Sequence, residues 1–363
     1  MGTNRKEIRA VLLGLAVVCL YALLVLASGA ILPADFAMLL GNYLSAAASL
    51  WILTGSIAVL ALLLYRRPKG GVDGPSPFAQ IWYWLGERWA RDRFLSLIWP
   101  PLLFALLMAS FNIFKQMILP LAGFRFDPLF ASMDRMLFLG TDPWRITHSL
   151  LGSPWASYAI DKAYHGWFVP MSLGVMICAF LSDESWRART QYLLSYILIW
   201  IGFGSILAFA FPAAGPCFYG HFLGSNPYFD PLMAKLTADQ AVLATAMPDA
   251  HLSALRNQAL LIDAFGSETL RIGGGISAMP SVHNALSVLF AITGFRIHPR
   301  LGWAMTLYAL LIWIGSIHLG WHYAIDGIFA AALTLWIWHL TGRLADLLAR
   351  ESATAPTSAP LAT

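Results

Sequence analysis

Two short stretches hold the residue types that could handle a phosphate. In the first, Arg271 is followed by Gly273, Gly274 and Gly275, and then by Pro280, Ser281, Val282 and His283 at the mouth of an apolar run. Proline suits a first helical turn. The unpaired N–H groups and positive dipole end of such a helix make a seat for an anion, and glycines let it come close. In the second stretch, Gly315, Ser316, Ile317, His318, Leu319, Gly320, Trp321, His322, Tyr323, Ala324, Ile325 and Asp326 run in sequence between two further apolar segments. A histidine backed by a carboxylate, as His322 and Asp326 could be, has its tautomer fixed and its imidazolium stabilised. A second histidine, His283, could give a leaving group its proton.

Blander readings of the same residues stay open. His283 could hydrogen-bond within a polar helix end, and His322 with Asp326 could be a local i, i+4 pair supporting a helix. His318, His322 and Asp326 fall at four-residue steps, which could also set three metal ligands on one helix face. The acidic residues Asp127, Asp134, Asp142 and Asp161 could hold an ion or a sugar, or cap helices.

The elements that must position these groups are membrane spans. Of 363 residues, 58% are hydrophobic and 12% charged, against roughly 45–50% and about 25% in soluble domains. That excludes a disordered chain, and three scattered cysteines exclude a disulfide scaffold. A hydrocarbon core about 30 Å thick takes roughly 20 helical residues. Eight stretches qualify, near 10–32, 38–65, 94–119, 164–181, 190–211, 281–297, 301–319 and 325–342. With both termini cytoplasmic, that side receives Arg5, Lys6, Arg9, Arg66, Arg67, Lys69, Arg88, Arg91, Arg93, Arg187, Arg189, Arg296, Arg300, Arg343 and Arg350, that is 15 of the 23 Lys and Arg residues, as the positive-inside bias requires. The formal charge of +4 therefore reports orientation, and no nucleic-acid partner is expected. The expected location is a bacterial inner membrane, with both histidine stretches at the periplasmic face.

The expected organisation is two N-terminal spans in 1–70, an interfacial helix in 71–93 carrying Trp82, Trp84 and Trp89, a catalytic membrane unit in 94–345 and a disordered tail in 346–363. The unit holds two periplasmic segments, 120–163 and 212–280. Within the second, Leu232, Met233, Leu236, Val242 and Leu243 have helical spacing, which suggests a cap over the site. No repeat of fixed period favours an inverted-repeat transporter, although intramembrane polar residues also mark transport paths.

Pro280-Ser281-Val282-His283 and, further on, Leu319-Gly320-Trp321-His322-Tyr323-Ala324-Ile325-Asp326 resemble the last two signature motifs of the type 2 phosphatidic acid phosphatase superfamily. Phe126 to Leu129, Met133 to Arg135, Gly140 to Trp144, Asp161 to Tyr164 and Phe211 to Pro216 resemble the branch that contains inositol phosphorylceramide synthases. The resemblance implies an all-α polytopic enzyme with a six-helix catalytic core and no cofactor or metal. It makes His322 a nucleophile that forms a phosphohistidine, Asp326 its orienting partner and His283 the acid that then activates the acceptor. A membrane phospholipid would be the donor, and a lipid hydroxyl or water the acceptor. Transfer of a phospho head group to a lipid hydroxyl is the leading expectation, and hydrolysis of a lipid phosphate or pyrophosphate by the same residues the alternative. The aspartate-rich Asp-Gly-x-x-Ala-Arg signature of metal-dependent CDP-alcohol phosphotransferases is absent.

The pattern departs from the phosphatases in three places. Val282 stands where they have glycine and Ser316 where they have arginine, and Lys162 precedes Pro170 with Val169 in the arginine position. The phosphate still needs positive charge, for which Lys115, Arg125, Arg135, Lys162 and Arg271 are available. Ser281, Lys115, Asp134, Asp161, Lys162, His165 and Arg271 are the expected substrate-binding residues. Tyr164, beside His165, is either a cavity residue or an interfacial anchor.

Overall fold

The computed structural model describes residues 2–29, 31–65, 86, 94–181, 185–265 and 270–354. Fourteen of its helices are used below. Helix α1 is Gly2–Ala27, α2 Pro33–Tyr65 and α3 Phe94–Ala122. Three short ones follow, α4 Asp127–Leu137, α5 Pro143–Leu151 and α6 Pro154–His165. Helix α7 is Phe168–Phe180, and α8 runs from Trp186 to Ala210 with a π-helical stretch at Ile199–Leu207. The second long segment folds as α9 Pro216–Leu223, α10 Asp230–Ala246 and α11 Ser253–Phe265. The chain then closes with α12 Val282–Ile297, α13 Pro299–His318 and α14 Ala324–Thr354.

Seven stretches are long and apolar enough to cross a membrane, and α12 is a shorter apolar helix. The eight expected spans are thus all helical, with α6 and α7 forming one crossing from Pro154 to Phe180. This is an integral membrane protein. Its outward apolar side chains, such as Leu20, Leu24, Ile52, Leu307 and Trp336, are the surface that lipid tails cover. Inside, Leu103, Leu107, Val175, Met176, Trp167, Tyr196 and Phe203 pack helix on helix with almost no exposure. Helix α12 lies against α13, α14 and α8, whereas α2 packs mainly on α3 and α7.

Two expectations need correction or fall outside the description. The tail was expected to be disordered from 346, but α14 continues to Thr354, because 346–353 lacks glycine and proline and simply extends the preceding helix. The expected interfacial helix over 78–93 lies outside the described residues, apart from Gly86. The segment after Cys217 is helical as its spacing predicts, with Leu232, Leu236 and Leu243 fully buried and Val242 exposed. The three cysteines are free.

The basic residues gather at one end. Arg189 at the start of α8 pairs with Glu7 of α1 in a buried contact. Arg187 forms a bidentate pair with Asp346 near the end of α14.

At the other end, three buried carboxylates hold helix starts and loops in place. Asp127 accepts the N–H groups of Ala214 and Gly215, both at 2.8 Å. Asp134 accepts those of Ala324 and Ile325 at 2.7 and 2.8 Å. Asp161 accepts those of Ser253 and Ala254, both at 2.8 Å. Helix starts leave such donors unpaired, so each aspartate caps an element distant in sequence. Replacing Asp161 with alanine strands two buried donors at the start of α11, and we expect a loss of about 1–3 kcal/mol. Denaturant titration in detergent checks this; an unchanged midpoint would show that the two N–H groups find other partners.

Candidate active site

Helix α13 ends in a Schellman arrangement that decides where the second histidine stretch points. The N–H of Gly320 bonds to the carbonyl of Ile317, and those of Trp321 and His322 both bond to the carbonyl of Ser316. Gly320 has φ +73°, a left-handed conformation that glycine adopts without steric cost. The turn separates His318 from His322. The His318 ring stacks on His148 with centroids 3.7 Å apart and bonds through Nε2 to Ser157 Oγ at 3.0 Å. The three residues at four-residue steps therefore do not share a helix face. His318 instead joins a buried polar network in which Ser157 donates to Asp239.

His322 is thrown back towards the glycine loop. Its Nδ1 lies 2.7 Å from the carbonyl of Ala278 and 3.3 Å from Asp326 Oδ2. A carbonyl can only accept, so Nδ1 carries the proton and the lone pair sits on Nε2. Sequence reasoning gave Asp326 the orienting part. In the structure the shorter bond goes to the main chain, and Asp326, fully buried, stands behind the ring. Asp326 also accepts the N–H of Tyr323 at 3.1 Å, the returning half of a capping box at the start of α14. Sequence offers no signal for the Ala278 contact, because a main-chain carbonyl has no residue type.

His283 sits in the first turn of α12. Ser281, expected to bind substrate, is the N-cap of that helix, fully buried, with its Oγ accepting from the N–H and side-chain amide of Asn284. The His283 ring stacks on Trp167 at 4.0 Å and on Tyr164 at 5.0 Å between centroids. The Trp167 indole also donates to the His283 carbonyl at 3.1 Å. Among the described residues no hydrogen bond holds the His283 ring nitrogens. The His283 and His322 ring centroids are 6.2 Å apart, with the planes tilted by 53°. Trp167 escaped sequence reasoning because its tryptophan looked like one of many lipid-facing aromatics.

The glycine loop is fastened to α3. The N–H of Gly273 donates to Asn112 Oδ1 at 2.7 Å, and the Arg271 carbonyl accepts from Asn112 and Gln116 at 3.2 and 3.0 Å. A Cβ on Gly275 would lie 2.7 Å from the Lys115 carbonyl carbon, so only glycine permits this approach. Lys115 thereby has its main chain against the glycine loop that leads to His283.

Of the other cations expected at the phosphate, Lys162 and Arg135 are engaged elsewhere, and Arg125 is exposed. Lys162 donates to the His251 carbonyl and to Ser253 Oγ at 2.8 and 2.9 Å and lies 3.2 Å from Asp161. Arg135 pairs with Asp142 and covers the Tyr228 ring. The Arg271 side chain is exposed. His165 bonds to the Asp161 carbonyl and to Asn257 at 2.9 Å each. Asp134 and Asp161 use both carboxylate oxygens on main-chain N–H groups.

A helical membrane bundle with two facing histidines, one backed by an aspartate, defines a membrane enzyme built to handle a phosphoester. The chain belongs to the PAP2 superfamily, whose family model matches residues 129–340. That makes it an enzyme of lipid phosphatase or phosphotransferase chemistry. No curated protein and no solved structure matches it.

Burial pushes the Asp134 carboxyl up to about 7, with Asp326 and Asp142 adding to the shift and the N–H bonds of Ala324 and Ile325 opposing it. Burial raises Asp127 in the same way. A raised folded-state value contributes stability below the unfolded value of about 4, which is lost as pH rises through about 7. Stability should therefore fall between about pH 4 and 7, and Asp134→Asn should flatten that slope. Unfolding midpoints across this range test it; an equal slope in both proteins would assign the dependence elsewhere.

Proposed function

We propose that the enzyme moves a phospho head group from a membrane phospholipid to a lipid hydroxyl through a phosphohistidine on His322, in the manner of the inositol phosphorylceramide synthase branch. One observation carries the reading: the Nδ1–H of His322 is committed to the Ala278 carbonyl, so the lone pair is on Nε2, and the ring centroids of His322 and His283 are 6.2 Å apart.

In the first step the Nε2 lone pair forms a bond to phosphorus while the bond to the leaving oxygen breaks. His283, protonated, gives that alkoxide its proton. Asp326 offsets the positive charge that develops on the His322 ring, and Lys115 with the free N–H groups of α12 offsets charge on the phosphoryl oxygens. In the second step His283, now neutral, takes the proton of an acceptor hydroxyl, whose oxygen attacks phosphorus and releases His322. Water or a lipid alcohol satisfies the same balance.

Aromatic walls support the lipid acceptor. Trp167 and Tyr164 cover His283, while Trp321 lies between Tyr164 and Phe218. The segment carrying α9, α10 and α11 adds Phe218 to this wall. Such a lining excludes bulk water and accepts an acyl chain. Ser316 in place of an arginine points the same way, towards the synthase branch. The anchoring of the glycine loop on Asn112 and Gln116 supports a catalytic unit beginning with α3, upstream of the family match. The gathering of Arg187, Arg189 and Arg296 at the opposite end supports cytoplasmic termini and a periplasmic site in a bacterial inner membrane.

Purified enzyme in nanodiscs, with EDTA present, should convert phospholipid and ceramide or diacylglycerol into a new phospholipid seen by mass spectrometry. Free phosphate or phosphoalcohol as the sole product would establish the hydrolase. His322→Gln should abolish labelling of the protein by a phosphate-labelled donor, while His283→Asn should slow turnover by about 10²–10⁴-fold. Lys115→Gln should cost about 10²–10³-fold in kcat, and unchanged turnover would remove Lys115 from the phosphate.

A further inference from the structure

At the end of the bundle opposite the histidines, α8, α12 and α14 form an open cleft of about 370 Å³ lined by Arg187, Arg296, Arg343, His339, Leu335 and Trp338. Its volume falls in the range of small-molecule pockets, about 300–1,000 Å³. We propose that this cavity binds the head-group phosphate of an anionic phospholipid from the leaflet opposite the catalytic one.

Charge sets the ligand class. Arg187 spends Nε and one terminal nitrogen on Asp346 and the other on Gln191. It is held rigidly and largely neutralised. Arg296 and Arg343 also line the cavity, both exposed and without a carboxylate partner among the described residues. Three arginines against the single Asp346 leave an excess of two positive charges. Guanidinium groups are suited to phosphate through paired N–H donors.

The wall sets the source of that phosphate. Leu335, 55% exposed, lies about two helical turns from Arg343 on α14, towards the membrane interior. Trp338 lies between them in sequence. Trp303, Trp336 and Phe295 are exposed aromatic residues on α13, α14 and α12, of the kind that settles at the boundary between head groups and tails. A soluble phosphate would use the arginines alone. A phospholipid uses the arginines for its phosphate and the Leu335 flank for its acyl chain, in the manner of basic pockets between membrane helices. Arg296 is thirteen residues beyond His283 on α12, about 20 Å along the axis, so this is not the catalytic cluster.

The test uses the full chain in vesicles containing phosphatidylglycerol that carries a photoreactive group near the glycerol, with labelled peptides mapped by mass spectrometry. We expect labelling within 335–346, suppressed by unlabelled phosphatidylglycerol but not by phosphatidylcholine or by inorganic phosphate. Arg296→Gln with Arg343→Gln should lower it by about tenfold or more, and the corresponding pair of lysine substitutions should retain most of it. Equal suppression by phosphatidylcholine, suppression by inorganic phosphate, or full labelling in the glutamine pair would each overturn the proposal. Should the glutamine pair fail to fold, the competition experiments on the unaltered protein decide alone.

Discussion

The first N–H groups of a helix have no partner inside it, and within a membrane there is little water to supply one. This protein meets that constraint with carboxylates sent from other helices. Asp134 on α4 holds the start of α14, Asp161 on α6 holds the start of α11, and Asp127 holds the turn before α9. Each bond does two things at once, satisfying donors and fixing where a distant element begins. The start of α14 is where Asp326 stands behind His322, so the register of that pair depends on Asp134. Tyr323 ties the same turn to Asp127 through its hydroxyl at 2.8 Å. The site is thus braced by acidic residues that do not touch it.

Those same aspartates show how far the sequence could be read. Their residue type and their place in family-like motifs suggested ligand binding. Nothing in a sequence distinguishes a carboxylate that meets substrate from one that meets two N–H groups a hundred residues away. The spans were legible because apolar length is a local property, and so was the helical spacing of Leu232, Leu236 and Leu243. His322 and Asp326 were legible as a pair because four residues separate them. The long-range contacts were not: Ala278 fixing the His322 tautomer, Trp167 under the His283 ring, and Asn112 and Gln116 holding the glycine loop. Each joins elements more than forty residues apart, and their geometry arises only on packing. The turn at Gly320 was foreshadowed by its glycine, and it dissolved the three-ligand reading of His318, His322 and Asp326.

Positive charge is distributed with the same economy. The cations of the long segments are mostly tied down, Lys162 on Asp161 and Ser253, Arg135 on Asp142, and Lys235 on Asp239. Arg125 and Arg271 are exposed, and Lys115 on α3 lies against the glycine loop. A cation already paired with a carboxylate offers a phosphate little, because the arriving anion must compete with a neighbour of its own sign. Under the proposed chemistry the phosphate seat draws on a helix that the family match does not reach, since that match begins at residue 129.

The length of α12 links the two ends of the molecule. It has 16 residues, about 24 Å of helix against a hydrocarbon core of about 30 Å. A helix shorter than the membrane cannot carry both ends out to the aqueous boundary. The proposed site puts the buried end at His283, in the first turn and walled by Trp167 and Tyr164. A phosphate bound at that depth has to bring its lipid with it, since a free anion would pay the full cost of leaving water. An acceptor hydroxyl carried on an acyl chain reaches the same depth with its tails still in lipid, whereas a water molecule arrives singly through an aromatic wall. Under the proposed transfer, one short helix thus favours lipid partners at the reacting phosphorus, and under the proposed lipid site Arg296 serves as the anchor on the opposite leaflet.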